Sequence, residues 1–206
     1  MKISLQNVGK RYNREWIFRN VTLELTPDKS YAITGPNGSG KSTLLQVIGG
    51  MIQHSEGSII YPDTNGITNE NLYKDVSITA PYLDVIEEMT LLEFLLFHNE
   101  FKPFLDGVNS NFIINAIGLE KDAGKQIRYY SSGMKQRVKL AQAIFSDTKL
   151  LLLDEPCSNL DQKGIELYHQ LIKNFKRDRI IIISSNDEVE YNFSEVVIPI
   201  SKYKTF

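Results

Sequence analysis

The chain has 206 residues, a formal net charge of −2, 42% hydrophobic residues and 23% charged residues. These values suit a globular protein with one sizeable core, and the charge gives no electrostatic reason to expect a nucleic-acid partner. A single cysteine, Cys157, excludes an internal disulfide framework and suits a reducing cytoplasm. The first residues lack the apolar stretch of a signal peptide, and the runs Leu150–Leu153 and Ile180–Ile183 are too short to span a bilayer.

Taken in order, Ile3–Leu5, Val21–Leu25 and Tyr31–Thr34 read as strands, and the alternation in Val21–Leu25 fits a half-exposed one. A helix is expected from Lys41 to the Gly49-Gly50 pair, which supplies a stop. Ser58–Tyr61 and Val76–Thr79 are the next strands. From Leu83 the pattern turns helical: Thr90 and Glu93 form a capping box before an apolar run. Residues 109–119 and 133–145 read as two more helices, the second with Lys135, Arg137 and Lys139 breaking its apolar face. Then come the strand Leu150–Glu155, a helix over 164–175, the strand Arg179–Ile183 and a last strand Val196–Ile200. Strands alternating with helices predict a mostly parallel α/β sheet in a single domain. Residues 1–82 and 148–206 would form the core, and 83–147 an inserted helical subdomain.

Gly35-Pro36-Asn37-Gly38-Ser39-Gly40-Lys41-Ser42-Thr43 matches the P-loop pattern G-x-x-x-x-G-K-[ST], after an expected strand and before an expected helix. Glycines let the backbone approach phosphates and aim successive N–H groups at them, and the helix start adds partial positive charge. Lys41 is expected on the β- and γ-phosphates and Ser42 on Mg²⁺. A chance match in about 200 residues is roughly a 1% event on average residue usage. A P-loop also needs an acidic site at a neighbouring strand end. Asp154 is placed to hold Mg²⁺, and Glu155 to orient or deprotonate an attacking water.

With these motifs in place the chain resembles, over nearly its whole length, the ATP-binding subunit of ABC transporters. Tyr130–Arg137, "YSSGMKQR", resembles the family's LSGGQ-QR signature, with Ser131 and Gly133 kept and Ser132 and Met134 replacing Gly and Gln. Gly133 lies 21 residues before Asp154. Ser158–Asp161 resembles the D-loop, and Tyr12 stands where the family stacks an aromatic on adenine. The resemblance implies a P-loop NTPase (RecA-like) fold with an N-terminal antiparallel β portion. It also implies ATP hydrolysed with Mg²⁺ between two nucleotide-binding domains, the second being another copy or a different ATPase subunit, with the signature Ser131-Ser132-Gly133-Met134 and Asp161 serving the partner's nucleotide. A separate transmembrane permease subunit would hold the chain on the inner face of the membrane, and no nucleic-acid partner is implied. The short length and the signature look exporter-like.

Two departures qualify this. The glutamine that the family carries after the strand before the helical insertion is absent, and "ITAPYLD" puts Pro81 or Tyr82 there. Neither side chain offers what glutamine does. The family's switch histidine is replaced by Asn186, 31 residues beyond Glu155, which can hydrogen-bond a γ-phosphate but cannot carry a positive charge. Hydrolysis is therefore expected to be slow. Two other readings stay open: a nucleotide-binding regulatory subunit with little hydrolysis, and a soluble ABC ATPase unconnected with transport. The aromatics Phe94, Phe97, Phe101 and Phe104 are assigned to core packing, with a partner face as the alternative.

Overall fold

The computed structural model describes residues 1–61 and 69–204 and contains two β-sheets, with helices between the strands of the second. The first sheet is antiparallel, in the order β2 (Glu15–Leu25), β1 (Ile3–Tyr12), β4 (Glu56–Ile60). The second is parallel throughout, in the order β5 (Val76–Thr79), β6 (Leu150–Asp154), β7 (Ile180–Ser184), β3 (Ser30–Thr34), β8 (Val196–Pro199).

Every residue of β6 and β7 is buried, as expected of central parallel strands covered on both faces. Their side chains alternate between two hydrophobic clusters. Leu150, Leu152, Ile180 and Ile182 join the antiparallel sheet and helix α1 (Lys41–Ile48). Leu151, Leu153, Ile181 and Ile183 join the inserted helices and α5 (Gln162–Phe175). Each such side chain contributes about 1.5–3 kcal/mol on full burial, so these two strands tie both halves of the molecule together.

The N-terminal strands run longer than the alternation predicts. Asn7, Asn13 and Asn20 all adopt positive φ, at 49°, 53° and 57°, and the β1–β2 register shifts between Leu5 and Arg11. Asparagine tolerates that left-handed conformation; Asn13 uses it in the turn between β1 and β2, while the irregularities around Asn7 and Asn20 scramble the two-residue period. The last strand stops at Pro199, on the sheet edge, and 200–203 form a 3₁₀ turn instead of continuing. Proline brings no N–H to a ladder, which confines it to such edges.

The insertion contains α2 (Leu91–Phe101), α3 (Ser110–Ala116) and α4 (Ser132–Ile144). The Thr90–Glu93 capping box forms, Asn109 caps α3 and Ser131 caps α4. Helix α4 thus begins at Ser132, one residue before the glycine where the sequence placed its start. Phe94 and Phe104 are buried, whereas Phe97 and Phe101 are exposed, so packing accounts for only two of the four aromatics. Among the described residues no helix is long and apolar enough to cross a membrane.

Arg179, 2% exposed, joins the far ends of two helices. Its guanidinium donates to the carbonyls of Ile144 and Ser146 at and just beyond the end of α4, and of Phe175 and Lys176 at the end of α5. Burial pushes its pKa down to about 10, so it stays charged at neutral pH. Arg179→Leu takes a charged donor from four carbonyls, of which that of Ser146 still accepts from Thr148 N–H, and hydrogen bonds to a charged group contribute about 1.5–3 kcal/mol each. Urea denaturation is expected to show a loss of at least about 3 kcal/mol, with β7 and the nucleotide end of the sheet otherwise intact.

Candidate nucleotide site

The loop after β3 folds over the start of α1. Gly40, the residue before the helix, has φ 99° and ψ 9°, and no side chain caps the helix. Gly38 also lies at positive φ, 73°. A Cβ on Gly40 would lie 2.4 Å from Ile17 Cγ2, so glycine is required there both by conformation and by space. Helix α1 has no acidic residue in its first turn, leaving its first N–H groups and their partial positive charge facing outward. Asn37–Thr43, Ile17 and Glu155 line a cavity of about 220 Å³ at this point.

Lys41 is 5% exposed, and among the described residues its ammonium reaches only the Pro36 carbonyl, at 3.3 Å. Among the described residues it forms no ion pair. A buried cation without an anion is costly, so this position suits an anionic ligand. Nearby, the carboxyl ends of three adjacent strands present buried polar atoms without hydrogen-bond partners among the described residues: Thr79 Oγ1 on β5, Asp154 Oδ1 on β6 and Ser184 Oγ on β7. Ser39 Oγ in the loop is in the same condition. This edge of an open α/β sheet is where ligands bind.

Asp154 is 1% exposed. A buried carboxylate oxygen without a donor fits a cation, and the Ser42 hydroxyl at the start of α1 is chemically suited to share it. No group of three or more His, Cys, Asp or Glu comes together among the described residues. A metal here would therefore draw on one carboxylate, one hydroxyl, water and phosphate oxygens, a donor set that fits Mg²⁺.

Glu155 is held at φ 44°, a left-handed conformation that costs a non-glycine residue about 1–3 kcal/mol. Its N–H donates to the Ser184 carbonyl at 2.9 Å, and its carbonyl accepts from Ser158 N–H at 3.1 Å. The turn directs the chain away from the sheet and sets Glu155 in the lining of the P-loop cavity.

A second cavity, about 480 Å³, is lined by Ser131–Met134, Arg137 and Asn159–Asp161 among others. It shares no lining residue with the first. Ser131 Oγ accepts from Met134 N–H at 3.2 Å. A Cβ on Gly133 would lie 3.1 Å from the Asn159 carbonyl, so the signature and the segment before Asp161 pack closely. The charges that spoil the apolar face of α4 have partners: Lys135 with Glu87 at 2.6 Å, Arg137 with Asp161 at 3.7 Å, and Lys139 with Asp84 at 3.8 Å. Helix α4 is contacted on several sides, which is why its stripe is weak.

Two expected positions stand apart from the P-loop lining. Tyr12 ends β1, 47% exposed, with Lys10 Nζ 4.9 Å from its ring centroid. Asn186 is exposed between β7 and α6 (Glu188–Tyr191), and its side chain makes no hydrogen bond among the described residues. Gly35 and Pro36 lead into the loop without lining the cavity.

Sequence reasoning missed Ile17, because an apolar residue in a hairpin gives no sign of lying against a phosphate loop. It also credited Tyr82 with one hydroxyl that could not do the work of the absent glutamine, and named no partner for it. Tyr82 hydroxyl accepts from Gln46 Nε2, and Gln46 lies one turn beyond Ser42 on α1. Burial raises the Tyr82 pKa, the Gln46 bond opposes this and the charge of Asp154 adds to it. The phenol is thus within electrostatic reach of the acidic strand end.

The geometry of the glycine loop yields a direct expectation. Gly40→Ala forces a left-handed alanine against Ile17, so titration with a fluorescent ATP analogue is expected to show at least a tenfold loss of affinity, about 1.4 kcal/mol. Gly107→Ala, at φ 79° with open space around it, provides the control for backbone strain alone and is expected to leave that affinity unchanged.

The family model described as "ABC transporter" matches residues 18–158. A lantibiotic transport ATP-binding protein of Streptococcus pyogenes is 34% identical over 197 residues, 92% of this chain and 82% of that protein. A cytochrome c biogenesis ATP-binding export protein of Reclinomonas americana is 31% identical, over 91% of this chain and 86% of that one. Among solved structures, a bacterial ABC transporter cassette in dimeric form superposes with a TM-score of 0.80 at 25% identity, over 96% of this chain and 94% of that one. A putative ABC transporter ATP-binding protein of Pyrococcus furiosus gives 0.84 at 24% identity, with both chains fully covered. Cradle, acidic strand end, signature and these likenesses agree, and the chain belongs to the ABC transporter family as an ATP-binding subunit.

Proposed function

We propose that the chain hydrolyses ATP to drive a separate transmembrane permease subunit, paired with a second nucleotide-binding domain and held by the permease at the cytoplasmic face of the membrane. The observation that carries this reading is Lys41, a buried ammonium without an acidic partner among the described residues, set in an uncapped helix start beside Glu155. That combination favours an anion with a hydrolysable end.

In this reading Gly35–Thr43 wraps the phosphates, with Lys41 on the β- and γ-phosphates. Ser42 and Asp154 hold Mg²⁺, which when bound offsets phosphate charge. Glu155 draws the proton from the attacking water, and Tyr12 meets the base from the end of the first hairpin. Asn186 donates its amide to the γ-phosphate in place of a histidine. The signature Ser131-Ser132-Gly133-Met134 and Asp161 complete the nucleotide site of the second domain. Two separate cavities in one chain, one with an orphan cation and one at a serine-capped helix start, support such an exchange between two copies.

The regulatory reading rests on Asn186 and the absent glutamine, and the retained Glu155 speaks against it. ATP turnover by the assembled transporter separates the two. Wild type is expected to hydrolyse ATP slowly, and Glu155→Gln to fall a further 10²–10⁴-fold, roughly the worth of a general base, with nucleotide binding retained. Asn186→Ala is expected to lower kcat as well. Equal rates for wild type and Glu155→Gln favour the regulatory subunit, and a wild-type rate for Asn186→Ala removes Asn186 from the mechanism.

A further inference from the structure

The peptide group joining Pro156 to Cys157, one residue beyond Glu155, is gripped on both sides by side chains from distant elements. Its carbonyl accepts from Gln136 Nε2 at 2.7 Å. Its N–H donates to Glu190 Oε1, also at 2.7 Å. Both residues are buried, 3% and 5% exposed. Gln136 sits on α4, one turn past the signature glycine. Glu190 sits on α6, four residues beyond Asn186, and its own carbonyl accepts from the Tyr168 hydroxyl of α5 at 2.9 Å. Hence one peptide plane joins the signature helix, the helix after Asn186 and the turn that carries Glu155.

We infer that Gln136 and Glu190 are positioning residues for hydrolysis: by clamping the Pro156–Cys157 peptide they hold Glu155 in its left-handed conformation and link it mechanically to the signature helix. The inference rests on Glu155 acting as the base. Backbone contacts fix the turn elsewhere, through Glu155 N–H on Ser184, Ser158 N–H on Glu155 and Leu160 N–H on the Cys157 carbonyl, but among the described residues none of them reaches the Pro156 carbonyl or the Cys157 N–H. That peptide is oriented by the two side chains. A tilt of α4, whose start lines the second cavity, would turn this plane and so move Glu155 in the first.

Chemistry at the clamp fixes what each position must supply. Position 136 must donate to a carbonyl, and position 190 must accept from an N–H. Glutamine at 190 keeps an acceptor, whereas glutamate at 136, nearly the same shape, loses the donor. Burial raises the Glu190 pKa, the Ser185 hydroxyl and Cys157 N–H oppose this, and the charges of Asp187 and Glu155 add to it, so a neutral amide is tolerable there. Its Oε2 has no well-formed hydrogen bond among the described residues. Burial, with Glu190 and Asp187 nearby, pushes the Cys157 thiol up to about 12, so Cys157 contributes a backbone N–H here and not a reactive thiolate.

The test uses the assembled transporter with Mg·ATP, reading kcat, KM and amide exchange at Cys157. Wild type and Glu190→Gln are expected to show similar kcat and a protected Cys157 amide. Glu190→Ala and Gln136→Glu are expected to lose about tenfold or more in kcat, about 1.4 kcal/mol on the barrier. Their KM for ATP should stay within about twofold, because the P-loop is untouched, and Cys157 exchange should quicken in Glu190→Ala. If active wild type is matched in kcat and exchange by Glu190→Ala and Gln136→Glu, the clamp is wrong and the ATPase reading stands. A wild type without turnover overturns both. Loss of kcat and ATP affinity together, with no rescue by Glu190→Gln, overturns the positioning role in favour of a general structural one.

Discussion

The constraint on which the rest depends is that β6 and β7 are buried on both faces. Leu150–Leu153 and Ile180–Ile183 send alternate side chains into two different cores, so neither strand has a face on which a polar group could rest. Polar residues are therefore expelled to the strand ends. Thr79, Asp154 and Ser184 collect there side by side, and the phosphate loop after β3 completes the edge. The site follows from the packing: hydrophobic strands deliver their terminal polar residues to one line, at the end toward which α1 directs its unpaired N–H groups.

The same strands set the energetic terms on which Glu155 sits in a strained turn. Immediately beyond the last buried residue the chain must leave the sheet, and it does so with a left-handed non-glycine. Such a conformation persists only where the surroundings over-determine it. Here those surroundings are the Ser184 carbonyl on the neighbouring strand, Ser158 within the turn, and the side chains of Gln136 and Glu190 on the peptide beyond. The polar residues after Ile183 are thus more than a turn: Ser184 lends its carbonyl to Glu155, Ser185 Oγ accepts from Asp187 N–H, and the segment leads into the helix that carries Glu190.

Features fixed by short-range chemistry were legible in the sequence. The glycine loop before α1, the capping box at Thr90, the all-buried strands and the strand end at Asp154 each depend on neighbours within a few residues. Features fixed by long-range contact were not. The N-terminal strands were cut short because asparagines at positive φ break the alternation. The start of α4 was placed late because Ser131 caps it and Ser132 opens it. The Gln46–Tyr82 contact spans 36 residues, so neither segment alone gave a hint of it. Gln136 and Glu190 looked like ordinary helix residues until the fold brought them to one peptide.

The central claim is that two incomplete halves, the P-loop cavity and the signature cavity, complete each other across two copies. Sedimentation velocity of Glu155→Gln, which binds ATP without consuming it in this account, tests that most directly. With Mg·ATP the account predicts a shift from monomer to dimer, abolished by Ser131→Arg at the signature while ATP binding persists. A species that binds ATP fully and remains monomeric, or a dimer indifferent to Ser131→Arg, would contradict it.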